Sequence, residues 1–212
     1  MRSAVLSLAT LLIPFFTQAA LLTTEGDGKK IEGVTLAKSA TAKWNDSAVA
    51  LSSVGGGLRA KKVVFVNVRV YVAQLYVSSL ETFKKEETSA LASVKDQKTL
   101  AIQLHFLRDV DAKDVQSSFK QALTANKVNL EDAAIKQFLE NVEKGGNAAK
   151  GKTLTILGSH EADGKEVIHY ENTDGAVSTV QGSQDFIKNI FSIWLGTPAD
   201  DGVAKLKSEI LK

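Results

Sequence analysis

The chain has 212 residues, enough for one domain of ordinary size. At 44% hydrophobic and 24% charged it is neither disordered nor collagen-like. Its 26 Lys and Arg nearly balance 24 Asp and Glu, which argues against a nucleic-acid partner, and its lack of cysteine excludes a disulfide framework, a thiolate nucleophile and any cysteine-bound metal or cofactor.

Arg2, the apolar run over residues 4–16, and small Thr17 and Ala19 form the pattern of a secretory signal cleaved after Ala19. Thirteen helical residues at ~1.5 Å each cover about 20 Å of a roughly 30 Å hydrocarbon core, too little for a membrane anchor. Residues 20–212 are therefore expected as one exported, periplasmic domain with no transmembrane span in the mature chain.

Residues 31–36 and 48–54 read as short strands. Across residues 61–78, Val64, Val66, Val68, Val70 and Val72 alternate with Phe65, Asn67, Arg69, Tyr71 and Ala73. That period predicts a strand buried on its valine side, long enough to need a bend or bulge near Ala73–Gln74. Residues 80–94 read as a helix and 99–107 as a strand. Two amphipathic helices follow, at 111–126 with Val115, Phe119, Ala122 and Leu123 on one face, and at 130–143 with Ile135, Phe138, Leu139 and Val142. Strands are predicted at 153–157, 166–170 and 176–180, the last two parted by the hairpin signal Asp174-Gly175. A helix over 183–195 closes at Gly196 with Pro198 beyond it, and a final helix spans 200–211. This order predicts an α+β fold, a mostly antiparallel sheet with helices packed on one side.

Two motif matches fail on their context. Residues 146–153 match a phosphate loop letter for letter, but such a loop leaves a strand and enters a helix, and here the order is reversed. Residues 55–60 match a relaxed dinucleotide fingerprint, but a second strand follows instead of a helix. No GxSxG or HExxH occurs. His105 and His169 lie within strands and read as half-buried sheet residues.

Arg59 follows the triplet Gly55-Gly56-Gly57, whose lack of side chains leaves space for the guanidinium to lean into a cavity. Tyr71 is twelve residues on, about 40 Å away along a single extended strand. The two meet only if the segment folds back, for instance as a hairpin around Lys61–Lys62. A buried arginine needs an anion or several acceptors, and an arginine fork beside a phenol suits a carboxylate or an enolate.

The Gly55-Gly56-Gly57-Leu58-Arg59 stretch, the strand with Phe65, Tyr71 and Leu75-Tyr76-Val77, and the tail from Phe186 through Trp194 to Gly196 together resemble the chalcone isomerase-like family. Arg108-Asp109 before a helix and Gly151-Lys152 before a strand fit its bacterial members. The resemblance implies a chalcone-isomerase-like fold, an open-faced β-sandwich, from about residue 31 to the C-terminus. It places the family's active-site arginine on Arg59. The family's catalytic threonine falls on Tyr71, and its tyrosine and asparagine fall near Asp111 and Ser118, so only the arginine of the isomerase set is retained. An arginine with a tyrosine instead resembles the carboxylate grip of the non-catalytic, fatty-acid-binding members.

Three functional readings stand, the first two implied by the resemblance and the third independent of it. The first is a binder of a small amphipathic or hydrophobic ligand, a carboxylate such as a fatty acid, through Arg59 and Tyr71, with Tyr76 and Arg108 completing the candidate set. The second is an intramolecular lyase in which Arg59 steadies an enolate. The third is a structural or interaction protein of the cell envelope. Arg69 is a further candidate cation, Tyr76 stands between core and cavity wall, and Trp194 is expected in the core. No cofactor or metal is implied.

Overall fold

The computed structural model describes residues 20–44 and 47–212; the expected secretory signal at 1–19 lies outside them. Ten strands are present: β1 (Leu22–Glu25), β2 (Lys30–Ile31), β3 (Val34–Thr35), β4 (Ser39–Trp44), β5 (Ser47–Val63), β6 (Val66–Val77), β7 (Thr99–Phe106), β8 (Thr153–His160), β9 (Glu166–Glu171) and β10 (Val177–Gly182). The helices are α1 (Ala112–Ala125), α2 (Ala133–Lys144), α3 (Phe186–Leu195) and α4 (Asp201–Ile210). Eight strands form one antiparallel sheet in the order β1-β4-β5-β6-β7-β8-β9-β10, while β2 and β3 pair apart from it. The α+β architecture read from the order of elements is the one observed.

The valine-rich segment is a hairpin arm, not one strand. Val63 pairs with Val66, so the chain reverses at Val64–Phe65, a few residues beyond the expected fold-back at Lys61–Lys62. The expected irregularity also moves. Arg59 pairs with Tyr71 while Ala60 pairs with Arg69, which leaves Val70 as the extra residue of a β-bulge. A bulge shifts the two-residue alternation by one. Val68 and Val70 face the helix side before it; after it Tyr71, Ala73, Leu75 and Val77 do so. A second bulge leaves Val54 of β5 unpaired between Ser53 and Gly55.

The helix side of the sheet holds the larger core. Leu75, Ile102, Leu104, Leu154, Ile156 and Ile168 pack beneath Phe119, Phe138, Phe191 and Trp194. On the other face, Leu51, Tyr76, Ala101 and Leu157 form a smaller core with Leu21, Leu22, Ala40 and Ala42. The sheet curls enough for its two ends to meet on this face. The Leu21 N–H donates to the Glu171 carboxylate at 3.3 Å, and the Trp44 and His169 rings lie 5.9 Å apart.

Residues 80–94 depart from the expected helix, becoming turns and a short 3-10 helix over Ala92–Asp96. Hydroxyls of Thr82, Ser89 and Ser93 bond to carbonyls three residues back, and the Gln97 side chain accepts from the Ser79 N–H. These local partners compete with a continuous helical ladder. Strands β1 and β4 were not read from the sequence: β1 has four residues with Leu22 alone buried, and β4 alternates Ser39, Thr41 and Lys43 with Ala40, Ala42 and Trp44, a pattern weakened by the low strand propensity of alanine. No helix among the described residues is long and apolar enough to cross a membrane.

Candidate functional site

The glycine triplet lies inside extended β5, not in a turn, and two of its members, Gly55 and Gly57, admit α4. A Cβ on Gly55 would collide with the Ile210 carbonyl oxygen, and one on Gly57 would come within 2.6 Å of the Glu209 side chain. The space expected to stay open beside Arg59 is thus partly filled by a helix. Glu209 also accepts from the Leu58 N–H at 2.8 Å, which fastens α4 to the strand. Gly202 lets the α4 backbone pass directly over Ala60 and the Arg59 guanidinium.

This approach sets Asp200, which caps α4 by accepting from the Val203 N–H at 2.9 Å, against Arg59. The Arg59 side chain is 9% exposed and donates through Nη2 to Asp200 Oδ2 at 2.6 Å. Nη1 donates to the Ala60 carbonyl oxygen. Of the five N–H groups of a guanidinium, these contacts use two.

Tyr71 stands directly across the ladder from Arg59. Its phenol oxygen accepts from Trp194 Nε1–H at 3.3 Å, leaving its own hydrogen for an acceptor in the cleft. Burial pushes the Tyr71 phenol above its ordinary value, with the Arg59 charge pulling the other way. It is therefore a protonated hydrogen-bond donor at neutral pH, not a base. Trp194 is core, as expected, and also a positioning residue: its ring meets Phe119 edge-on at 5.4 Å while its N–H orients the phenol.

Arg59 and Tyr71 share the wall of a cleft of about 470 Å³ between the β5–β6 hairpin, β7 and α1. Phe106, Val115, Phe119, Ile193 and Val203 give it an apolar lining. Lys61 and Arg108 are exposed cations on its rim, together with Asp109, Asp111 and Asp114. Asp111 and Ser118, where the isomerase pattern would set a tyrosine and an asparagine, both border this space. The cleft thus has a buried polar end, an oily wall and a mixed-charge mouth, a form suited to an amphipathic guest.

Of the predicted residues, Arg59, Tyr71 and Arg108 come together here. Tyr76 does not. It is fully buried in the smaller core on the opposite face, because the bulge at Val70 leaves Tyr71 facing the helices and Tyr76, five residues on, facing away. Arg69 is also elsewhere, paired with Glu32 on the surface. Sequence reasoning missed Asp200, whose only sign was its helix-capping position, and Phe106 and Phe119, which read as plain core. Among the described residues no cluster of His, Asp and Glu could hold a metal ion.

Residues 28–212 match a family model described as chalcone isomerase-like. Among solved structures, the fatty-acid binding protein of Arabidopsis thaliana is similar in fold, with a TM-score of 0.58 and 15% identity over 84% of this chain and 92% of that one. No curated protein matches the chain.

Proposed function

The chain belongs to the chalcone isomerase-like family, and from that premise we propose that it is a non-catalytic, exported binder of a small amphipathic carboxylate such as a fatty acid. The observation that carries this reading is the joint placement of Arg59 and Tyr71 at the buried end of an apolar-walled cleft. In this reading a carboxylate accepts from the free N–H groups of Arg59 and from the Tyr71 hydroxyl, while a hydrocarbon tail lies against Phe106, Phe119 and Ile193. The description of the Arabidopsis protein as fatty-acid binding supports the choice of guest. Export rests on the signal pattern at residues 1–19, and the periplasm is the proposed compartment.

Enolate chemistry would use the same arginine but needs a partner that can order water or take a proton. The Tyr71 phenol is held protonated, and Asp111 and Ser118 replace the isomerase's side chains, which favours binding over ring closure.

Mass spectrometry of the purified protein under native conditions tests the reading. A co-purifying long-chain acid, lost in Arg59→Ala, is the expected result. An empty wild-type protein that also fails to take up added fatty acid would contradict it.

A further inference from the structure

The tip of the β5–β6 hairpin breaks the usual chemistry of its turn. A two-residue hairpin loop needs positive φ and favours Asn or Gly, because a β-branched residue in the left-handed region is strained. Here the loop is Val64–Phe65, and Val64 sits at φ 55. The strained turn presents apolar surface to solvent: Phe65 is 92% exposed, Val64 77% and Val66 65%. These three are contiguous and, with Leu80, are the exposed large hydrophobic residues among the described ones.

The charge around the tip has one sign. Lys61 and Lys62 are exposed on the incoming strand, Arg69 follows on the outgoing one, and no Asp or Glu occurs between Arg59 and Glu81. Glu32 neutralises Arg69 at the base of the arm, which leaves both lysines beside the apolar tip. An aromatic and aliphatic tip ringed by lysines matches the boundary between lipid headgroups and acyl chains, with the cations at the level of anionic phosphates. Charge complementarity therefore selects one occupant.

We propose that the Val64–Phe65 tip is a membrane-docking element that inserts shallowly into an anionic lipid surface. The same hairpin supplies Lys61, Val68 and Val70 to the cleft wall, and Val68 is three residues from Phe65, about 10 Å along the strand. Docking by the tip brings the mouth of the cleft close to the bilayer. The inference stands on the hairpin alone and does not depend on what the cleft holds.

Co-sedimentation of the full chain with vesicles of phosphatidylglycerol and phosphatidylcholine in equal parts, and of phosphatidylcholine alone, tests it. The key variant carries Val64→Gly and Phe65→Asn, which puts glycine at the one loop position with positive φ while removing the apolar tip. Both proteins keep residues 1–19, so any leader contribution is common to the two. The wild type is expected to sediment with the anionic vesicles, the variant to partition about tenfold less, and the variant's melting temperature to be unchanged or higher. Lys62→Glu is expected to weaken binding to the anionic vesicles severalfold and to leave the neutral ones unaffected. Equal sedimentation of wild type and turn variant overturns the docking role. So does a wild type that stays in solution with both vesicles, including one that instead self-associates through the tip.

Discussion

Asp200 is held 2.6 Å from the guanidinium of Arg59, the residue that also faces Tyr71 across the sheet. An internal carboxylate thus occupies part of the fork that an external one would use. Arg59 is almost enclosed, whereas the Asp200 side chain is 41% exposed, so the pair sits at the boundary between protein and cleft. This arrangement keeps the buried cation partnered when the cleft is empty. It also makes Asp200 the natural rival of a carboxylate ligand.

Asp200→Asn is therefore expected to tighten binding of a long-chain acid about tenfold, equivalent to ~1.4 kcal/mol, by removing a like charge beside the ligand. The amide oxygen can still accept from the Val203 N–H, so the start of α4 is preserved. Calorimetric titration of both proteins checks this. Weaker binding by the variant would show that Asp200 helps the ligand instead of opposing it.

Tyr71→Phe removes one neutral donor and keeps the ring against Phe106, 5.6 Å away. Acid affinity is expected to fall about threefold to tenfold, in line with a net hydrogen-bond contribution of roughly 0.5–1.5 kcal/mol. Because burial raises the phenol above its ordinary value, wild-type affinity is expected to be insensitive to tyrosine titration up to about pH 9. A loss of affinity between about pH 7 and 9 that is absent in Tyr71→Phe would mean the phenol ionises there.

The glycine triplet makes a stability prediction. A methyl group on Gly55 meets the Ile210 backbone oxygen, which cannot rotate away as a side chain could. Gly55→Ala is expected to cost about 2–3 kcal/mol and to lower Tm by about 5–10 °C, by forcing α4 off the strand. An unchanged Tm would show that the helix is not seated on the glycines.

Glu171 makes a pH prediction. Burial raises its carboxyl above the ordinary glutamate value, against the lowering effect of the Leu21 N–H. Between the unfolded value and the raised folded one, the native state binds more protons than the unfolded chain. Stability from this group is present below that window and is lost as pH rises through it. Glu171→Gln keeps an acceptor for Leu21 and is expected to flatten this decline, making the variant the more stable protein on the alkaline side. Parallel Tm–pH profiles for the two proteins would contradict this.

Much of this was legible in the chain because the relevant forces are local. The faces carrying Val115, Phe119 and Leu123, and Ile135, Phe138 and Val142, display their helical period openly, and both helices form where expected. The encounter of Arg59 with Tyr71 was also within reach, since only a fold-back could join them. Tyr76 was misplaced because the extra residue on this strand is Val70, ahead of Tyr71, and not at Ala73–Gln74 between the two tyrosines, so their five-residue separation leaves them on opposite faces; no single-residue signal marks a bulge among repeated valines. Asp200 was invisible for a different reason. It lies 141 residues from Arg59 and reaches it through a helix seated on glycines, a packing relationship with no sequence period.

The central claim is that Arg59 grips a carboxylate head while the cleft holds the tail. Paired titrations with a long-chain fatty acid and its methyl ester, for the wild type and Arg59→Gln, isolate that grip from the apolar contribution. The wild type is expected to bind the acid about tenfold or more tightly than the ester, and Arg59→Gln to bind the two alike. Equal wild-type affinities for acid and ester, or a preference for the acid that survives in Arg59→Gln, would contradict it.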